Sequence, residues 1–105
     1  MKAIINGTRY DTNKAALIGE TDSGDFSTDF QFWKAGLYVT PRSKRYFLAG
    51  RGGPMSVFSR AVGQNEWSGG EKIIPLDRDD ALRWAERHLE TREVEAHSAG
   101  EVTEA

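Results

Sequence analysis

A glycine-rich segment with an arginine inside it, YFLAGRGGPMS at residues 46 to 56, is the first place where this sequence could do chemistry. A phosphate-binding loop of the Walker type needs Lys followed by Ser or Thr after its last glycine, because the ammonium and the hydroxyl meet the phosphate and its magnesium ion. Here Pro54 follows Gly53, and GRGG lacks the glycine spacing of a dinucleotide-binding fingerprint. We interpret the segment as a structural turn whose glycines supply backbone angles that other residues resist. A bare anion at the start of a following helix, held with help from Arg51, stays an alternative.

Side chains suited to catalysis are sparse. The histidines are His88 and His97, and His88 falls on an apolar helix face, where a lone histidine is more often a packing residue than a base. The acidic cluster at residues 77 to 80 is explained by helix capping, and no second ligand type accompanies it as a metal site would require. The sequence therefore predicts a protein that is not an enzyme, with no catalytic residue, no metal site and no cofactor.

Charge is divided unevenly along the chain, although the net charge is only -2. Between residues 30 and 65 there are six Lys or Arg residues and no Asp or Glu, whereas eleven acidic and five basic residues follow residue 65. Such a division can steer a charged partner onto one face of a molecule, and it carries no information about the fold. The absence of cysteine excludes a disulfide framework and a thiolate zinc site.

The acid-free segment is the better candidate for a binding surface, because its cations are interleaved with aromatic residues. Positive charge holds phosphates while rings stack on bases, so single-stranded nucleic acid or an anionic protein groove would suit it. The two-residue period of a strand buries half of these rings and leaves at most Phe32, Tyr38 and Tyr46 for a partner. The predicted partner-binding residues are Lys34, Tyr38, Arg42, Lys44, Arg45 and Arg51.

Two strands and a short helix are predicted at the N-terminus. An Asn-Gly pair tolerates the positive φ of a type I′ turn and so joins Lys2–Ile5 to Thr8–Asp11 as a hairpin. Residues 12 to 18 follow a capping side chain and predict a helix of two turns that ends at Gly19 in a left-handed cap. The polar residues 20 to 29 predict a surface loop.

A second hairpin is predicted in the middle of the chain. Alternation gives its first strand a core face made of Trp33, Ala35, Leu37 and Val39. Pro41 sets the first central position of a turn at residues 40 to 43, and residues 45 to 49 return as the partner strand. The glycines that follow end this strand, and Pro54 suits the first turn of a short helix that ends at Gly63.

The C-terminal third predicts a loop, a strand and the longest helix. Residues 64 to 70 are polar, and EKIIPL at residues 71 to 76 is an apolar strand that Pro75 confines to a sheet edge or a strand end. Asp77 with Asp80 resembles a capping box at the start of a helix. The apolar stripe of that helix, which we expect to cover the sheet, contains Ala81, Leu82, Ala85 and Leu89, with Trp84 and His88 beside them.

These elements predict an α+β fold: a small, mostly antiparallel sheet of two hairpins plus one strand, a C-terminal amphipathic helix packed on one face, and two short helices. Residues 1 to 90 form one domain. Residues 91 to 105 are acidic and too poor in apolar residues to offset the entropy of ordering, so we expect a flexible tail. Without a signal peptide or a run of about 20 apolar residues, the protein is expected to be cytoplasmic, with no membrane contact.

Three motifs resemble those of a family of small proteins carried by phages, plasmids and other bacterial mobile elements. They are an aromatic strand that runs into Gly-x-Gly-Gly, WSGG at residues 67 to 70, and IIPL at residues 73 to 76 before a helix with Trp. The resemblance spans nearly the whole chain, from the INGTRYDT hairpin to the final helix. It implies a genetic setting more than a mechanism: in that setting small cysteine-free proteins are commonly stoichiometric binders, including inhibitors of host defence such as anti-CRISPR proteins.

The leading function hypothesis is a small non-enzymatic binding protein that blocks a host macromolecular complex, with a host protein or ribonucleoprotein complex as its partner. Its contact surface is either the basic hairpin at residues 41 to 51 or the acidic C-terminal third, which would mimic phosphate. The alternative is single-stranded nucleic-acid binding through the basic residues of that hairpin. A third reading is an accessory or structural role in a larger assembly, for which an exposed apolar patch would be the sign.

Overall fold

Eight strands, a short 3-10 helix and an α-helix make up the computed structural model, which describes residues 1 to 26, 28 to 64 and 66 to 90. In chain order the strands are β1 (Lys2–Ile5), β2 (Thr8–Asp11), β3 (Ala16–Asp22), β4 (Trp33–Val39), β5 (Tyr46–Gly52), β6 (Arg60–Gly63), β7 (Glu66–Ser68) and β8 (Gly70–Leu76). The 3-10 helix is Thr12–Lys14, and α1 is Arg78–His88. Strands β3, β4, β5 and β8 form the central antiparallel sheet in that order, flanked by the separate hairpins β1–β2 and β6–β7.

The N-terminal hairpin is confirmed with its predicted bounds. Ile5 pairs with Thr8, so the turn between them holds two residues. Asn6 has a φ of 51° and Gly7 a φ of 79°, the left-handed values that a type I′ turn requires at both central positions. The pairing of β4 with β5 is confirmed as well, although β5 runs on through Gly50 to Gly52 rather than ending at the first glycine.

The two faces of the central sheet pack against different elements. The helix face carries a buried cluster shared with α1, which consists of Ile18, Leu37, Val39, Tyr46, Leu48, Ala81 and Ala85. The opposite face, called here the hairpin face, carries a second cluster that reaches β2 and consists of Tyr10, Phe47, Ala49 and Ile73. The predicted core face of β4 is confirmed, because Ala35, Leu37 and Val39 are all buried.

Pro75 and Asp77, both in the sequence IIPLD, behave as their residue types predict. Pro75 lies in β8, an edge strand of the central sheet, where a residue without an N–H interrupts no inner ladder. The carboxylate of Asp77 accepts a hydrogen bond of 2.7 Å from the backbone N–H of Asp80, so the predicted N-cap of the long helix is confirmed. Asp80 in turn forms an ion pair with Arg83 one turn later.

The helix predicted at residues 12 to 18 is wrong. Asp11 does cap a turn, accepting a hydrogen bond from the N–H of Asn13, yet the turn is a 3-10 helix that ends at Lys14. The chain then enters β3, which pairs with β4 along its length and buries Ile18. A helix of two turns is marginal by itself, and ladder hydrogen bonds with a buried apolar contact outweigh its propensity. The loop predicted at residues 20 to 29 therefore starts later, after Asp22.

The helix predicted from Pro54 to Gly63 is also wrong. The hydroxyl of Ser56 donates to the carbonyl of Gly53 and accepts from the N–H of Phe58, which holds this segment in consecutive turns. Strand β6 lies within the residues of this predicted helix, and it pairs with β7, which lies in the segment predicted to be a loop. The aromatic and β-branched residues of this segment are poor helix formers, and the buried Phe58 side chain holds the turn against the sheet.

The α+β class and the mostly antiparallel pairing are thus confirmed, while the two short α-helices and the count of two hairpins plus one strand are corrected. Within the described ranges α1 is the one α-helix, and no helix there is long and apolar enough to cross a membrane. The predicted tail at residues 91 to 105 lies outside the described residues.

Candidate functional site

The structure divides the predicted partner-binding residues between the two ends of the β4–β5 hairpin. Arg42, Lys44 and Arg45 are exposed on the loop that joins β4 to β5, called here the basic tip. Lys34 and Arg51 pair with each other at the opposite end of the same two strands. Five residue steps separate this pair from the last pair before the tip, which corresponds to about 17 Å along the strands. The two groups therefore form separate surfaces.

The basic tip is held in shape by Thr40. Its hydroxyl accepts a 2.9 Å hydrogen bond from the N–H of Arg45 and lies 2.7 Å from the hydroxyl of Ser43. Its carbonyl accepts from the N–H of Lys44, which takes a left-handed φ of 55°. The tip cations are thus presented from an ordered turn, with their side chains in solvent.

Tyr38 belongs to neither group, because its ring packs on the hairpin face. It stacks on Phe47 with ring centroids 5.4 Å apart and an interplanar angle of 13°. Phe47 also meets Tyr10 edge to face at 5.3 Å, so Tyr38 closes one side of the second core cluster. The ring is half-buried, and only part of it can reach a partner.

A row of four charged residues crosses the hairpin face at the end that carries Lys34 and Arg51. The cross-strand register aligns Asp22 with Lys34, Lys34 with Arg51, and Arg51 with Glu71. None of these four forms an ion pair with another described residue within 4.0 Å. Two like charges opposite each other on neighbouring strands destabilise a sheet by a few tenths of a kcal/mol up to about 1 kcal/mol.

The uneven charge of the sequence becomes an interleaved arrangement in space. Strand β8 belongs to the acidic third of the chain and pairs with β5 inside the basic third, so Glu71 faces Arg51. At the other end Tyr46 pairs with Leu76, which brings the acidic cap of α1 to the same end of the sheet as the basic tip. Contact of the six predicted residues with a partner stays a prediction, on a surface where cations and anions alternate.

The glycines of the GRGG segment are required by close packing and not by backbone angles. Gly50, Gly52 and Gly53 all have a negative or extended φ, unlike Gly7. A methyl group on Gly53 would lie 2.5 Å from the carbonyl oxygen of Phe30. On Gly52 it would meet the Phe32 carbonyl at 2.6 Å. The structural interpretation of this segment therefore stands, but the reason offered for it from sequence is corrected.

Gly52 and Gly53 mark the place where three connecting segments meet. The loop at residues 23 to 32 accepts hydrogen bonds from the N–H of Gly53 and of Met55. A methyl group on Gly69, which follows β7, would lie 2.8 Å from the carbonyl of Gly52. The loop before β4, the turns after β5 and the β6–β7 hairpin are therefore joined at one end of the central sheet.

Of the large apolar side chains that are exposed among the described residues, most lie at this end of the molecule. We call this set the apolar end. Their exposed fractions run from 53% to 81%. The members are Phe26, Phe30, Met55, Val57, Val62 and Trp67. The sequence pattern does not reveal this set, because Phe30 falls in the basic segment and Trp67 in an otherwise polar one. The available signal was the presence of bulky apolar residues in segments that connect strands, where polar residues are the norm.

A shallow cavity of about 350 Å³ lies beside the apolar end on the hairpin face. Its floor is glycine backbone, and its walls are Phe32, Arg51 and Glu71. The guanidinium carbon of Arg51 is 5.8 Å from the centroid of the Phe32 ring, a cation–π distance that fixes the arginine against the aromatic wall.

The described residues contain no metal-ligand cluster, and the histidine among them is engaged in ring packing. His88 packs against Trp33 and Trp84, with ring centroids 5.3 Å and 4.9 Å away, and no carboxylate orients it. Burial of the imidazole, and secondarily the charge of Arg87, lower the pKa of His88 below its ordinary value of 6.5. In the ranges described, no three His, Asp or Glu side chains gather to hold a metal ion. His97 lies outside them.

No known family model matches the chain, and neither a characterised protein nor a solved structure shows significant similarity to it. The resemblance to proteins of phages and mobile elements therefore stays a prediction.

Proposed function

We propose that the protein is a non-enzymatic binding protein that docks through its apolar end onto a protein subunit of a host macromolecular complex and thereby blocks that complex. The observation that carries the proposal is the exposure of six large apolar side chains on three segments that meet at Gly52 and Gly53. Monomeric soluble proteins scatter such residues singly, and a gathering of them at one end of a molecule is typical of an interaction surface.

The residue types at this end favour a protein partner. Aromatic residues, Met and Arg are enriched at protein interfaces, and Trp is among the residues that most often dominate binding energy. Phe30 and Trp67 supply large rings, Met55 an adaptable side chain, and Arg51 a cation at the border. The three connecting segments share backbone contacts, so they present these side chains with less ordering entropy to lose on binding than separate loops would have.

The charge arrangement argues for protein over nucleic acid. The row across the hairpin face contains two cations and two anions, so its sum is neutral, and the basic tip shares its end of the sheet with the acidic cap of α1. Nucleic-acid binding draws most of its affinity from uncompensated cations along the phosphate backbone. The apolar end supplies what a protein surface needs and a phosphate backbone does not.

The test is affinity purification of the full chain from a bacterial host at physiological salt, followed by identification of the captured subunit and quantification of the complex. The paired substitution Phe30→Ser and Trp67→Ser is expected to remove capture, because about 30% or fewer of the residues in an interface carry most of its energy and Trp is over-represented among them. Ile4→Ser is the matched control, since Ile4 is 68% exposed but lies on the N-terminal hairpin. Equal capture by the paired variant and the control would remove the proposal.

Single-stranded nucleic-acid binding is the second candidate, and one observation favours it. Lys34 and Arg51 lie side by side without ion pairs to described residues, and the ring of Phe32 stands against the arginine as a surface on which a base could stack. Under this reading, binding of a single-stranded oligonucleotide weakens steeply with salt, and reversing Lys34 and Arg51 to Glu abolishes it. A flat salt response excludes it.

A further inference from the structure

A second cavity, of about 270 Å³, opens on the helix face next to the apolar end. Its floor consists of the buried side chains Ala35, Leu48 and Phe58, the last only 1% exposed. Its wall and mouth are formed by Trp33, Trp84, His88 and Val57. Val57 is also a member of the apolar end, so the cavity and that surface are continuous.

The aromatic wall of this cavity is preformed. His88 is held edge to face against Trp33, at an interplanar angle of 86°, and tilted against Trp84 at 45°. Trp84 and His88 are one helical turn apart on α1, whereas Trp33 begins β4, so the three rings tie the helix to the sheet. A pocket whose rings already support one another loses little entropy when it is filled.

The volume of the cavity limits the size of the group that can bind in it. An apolar cavity of about 150 Å³ is enough to hold benzene, and sites for drug-sized ligands start at about 300 Å³. At about 270 Å³ the cavity accommodates one or two fused rings and is too small for a nucleotide. The lining is mostly apolar, which favours a hydrophobic ring as the occupant.

Charged side chains next to the cavity favour a particular group beside the ring. A neighbouring depression of about 220 Å³ shares Trp84 and His88 with the cavity and is also lined by Asp80, Arg83 and Arg87. Arg83 is paired with Asp80, while Arg87 forms no ion pair with a described residue. The ammonium of Lys72 lies 3.4 Å from the carbonyl of Val57, a residue that lines the cavity. Arg87 and Lys72 are thus cations next to residues that line the cavity, and they favour a carboxylate beside the buried ring.

We propose that the open cavity lined by Trp33, Trp84, His88 and Val57 is the anchor pocket of the docking surface, and that it takes one aromatic side chain of the partner protein with a carboxylate next to it. This inference rests on the proposed function for the identity of the partner. A deep pocket that receives a single ring is where the binding energy of a protein interface is most often concentrated.

The experiment uses indole and indole-3-acetate as probes of the full chain, with binding followed by NMR chemical shifts of the Leu48 and Val57 methyl groups. Both probes are expected to bind saturably in the millimolar range, and indole-3-acetate several-fold more tightly. Arg87→Gln is expected to remove the advantage of the carboxylate and to leave indole unchanged. Val57→Lys places a charged chain across the mouth and is expected to weaken both probes about tenfold, as loss of one apolar contact of this size would.

Ile4→Lys is the control for Val57→Lys, because it makes the same change at an exposed apolar residue on β1. Absence of saturable shifts, or equal weakening by the two lysine variants, overturns the anchor pocket. A gain in probe affinity on Val94→Ser also overturns it, because the occupant would then be the chain's own C-terminal segment. If the protein binds the probes but captures no partner, the anchor pocket is supported and the proposed function is overturned. If it captures a partner but binds neither probe, the proposed function is supported and the anchor pocket is overturned.

Discussion

A methyl group at Gly50 should destabilise the protein, because this glycine lies where β4, β5 and the turn after β5 approach closely. A Cβ atom there would lie 2.6 Å from the carbonyl oxygen of Lys34, 2.6 Å from the Cζ atom of Phe58 and 2.9 Å from the Cβ of Ala35. Two of these neighbours are backbone or small fixed groups, and the third is a ring that is 1% exposed. None of them can swing aside as the end of a flexible side chain could.

The magnitude follows from two opposing effects. Overpacking of a close-packed site costs about 1 to 3 kcal/mol. Replacing Gly by Ala lowers the entropy of the unfolded chain and returns about 0.4 to 1 kcal/mol. With three short contacts at once, Gly50→Ala should sit toward the upper end of the cost, for a net loss of about 2 kcal/mol in the free energy of unfolding. For a chain of this size the melting temperature should fall by about 8 °C.

Urea unfolding followed by tryptophan fluorescence measures this free energy, and Gly63→Ala is the matched control. Gly63 also lies in a strand, but it is exposed, and its nearest contact to an added methyl is the flexible carboxylate of Glu66 at 3.2 Å. That variant should stay within about 0.5 kcal/mol of the parent protein. If Gly50→Ala proves as stable as Gly63→Ala, the explanation of the GRGG segment by close packing is wrong.

Further predictions concern the helix and its histidine. Asp77→Ala should lower the free energy of unfolding by about 1 kcal/mol through loss of the N-cap, whereas Asp79→Ala should cost less, which urea titration would show. Because the pKa of His88 is lowered in the folded state, its contribution to stability should be present above the ordinary value of about 6.5 and be lost as the pH falls below it through the lowered pKa of the folded state, since the unfolded chain then binds more protons. Comparison with His88→Gln from about pH 7.5 to about pH 5.5 isolates this contribution, and parallel curves for the two proteins would contradict it.

Short sequence motifs that require a particular backbone conformation or hydrogen bond predicted the structure well. The Asn-Gly turn requires positive φ at two positions, and a carboxylate three residues before a free N–H caps a helix; both the first hairpin and the start of α1 match these patterns. Pro75 excluded an inner strand and lies at a sheet edge. These features depend on residues near one another in the chain, which a sequence displays directly.

The errors occurred where long-range pairing decided the conformation. Residues 15 to 18 have an apolar pattern compatible with a short helix or a strand, and their pairing with β4, some 20 residues later, selects the strand. Ser56 suits a helix start or a turn, and Phe58 resolves the choice by burying its ring. Propensity over a few residues is weak beside such contacts.

The candidate site was predicted only in its parts. The cations predicted to bind a partner are exposed, and β-sheet register separates Lys34 and Arg51 from the basic tip and aligns acidic residues beside them. The apolar end depends on three segments that are distant in sequence and meet only through Gly52 and Gly53. No pattern along the sequence indicates that these three segments lie together. The predicted binding surface was therefore based on charge and not on exposed apolar side chains.

The salt and temperature dependence of the complex with the captured subunit tests the central claim most directly. Docking through an apolar surface predicts a dissociation constant that changes less than about threefold between about 0.1 M and 0.5 M salt, because screening acts on charges and not on buried apolar area. It also predicts a negative heat-capacity change on binding in calorimetry. A dissociation constant that rises steeply with salt, with little change in heat capacity, would contradict the account. It would indicate that the basic residues form the contact surface.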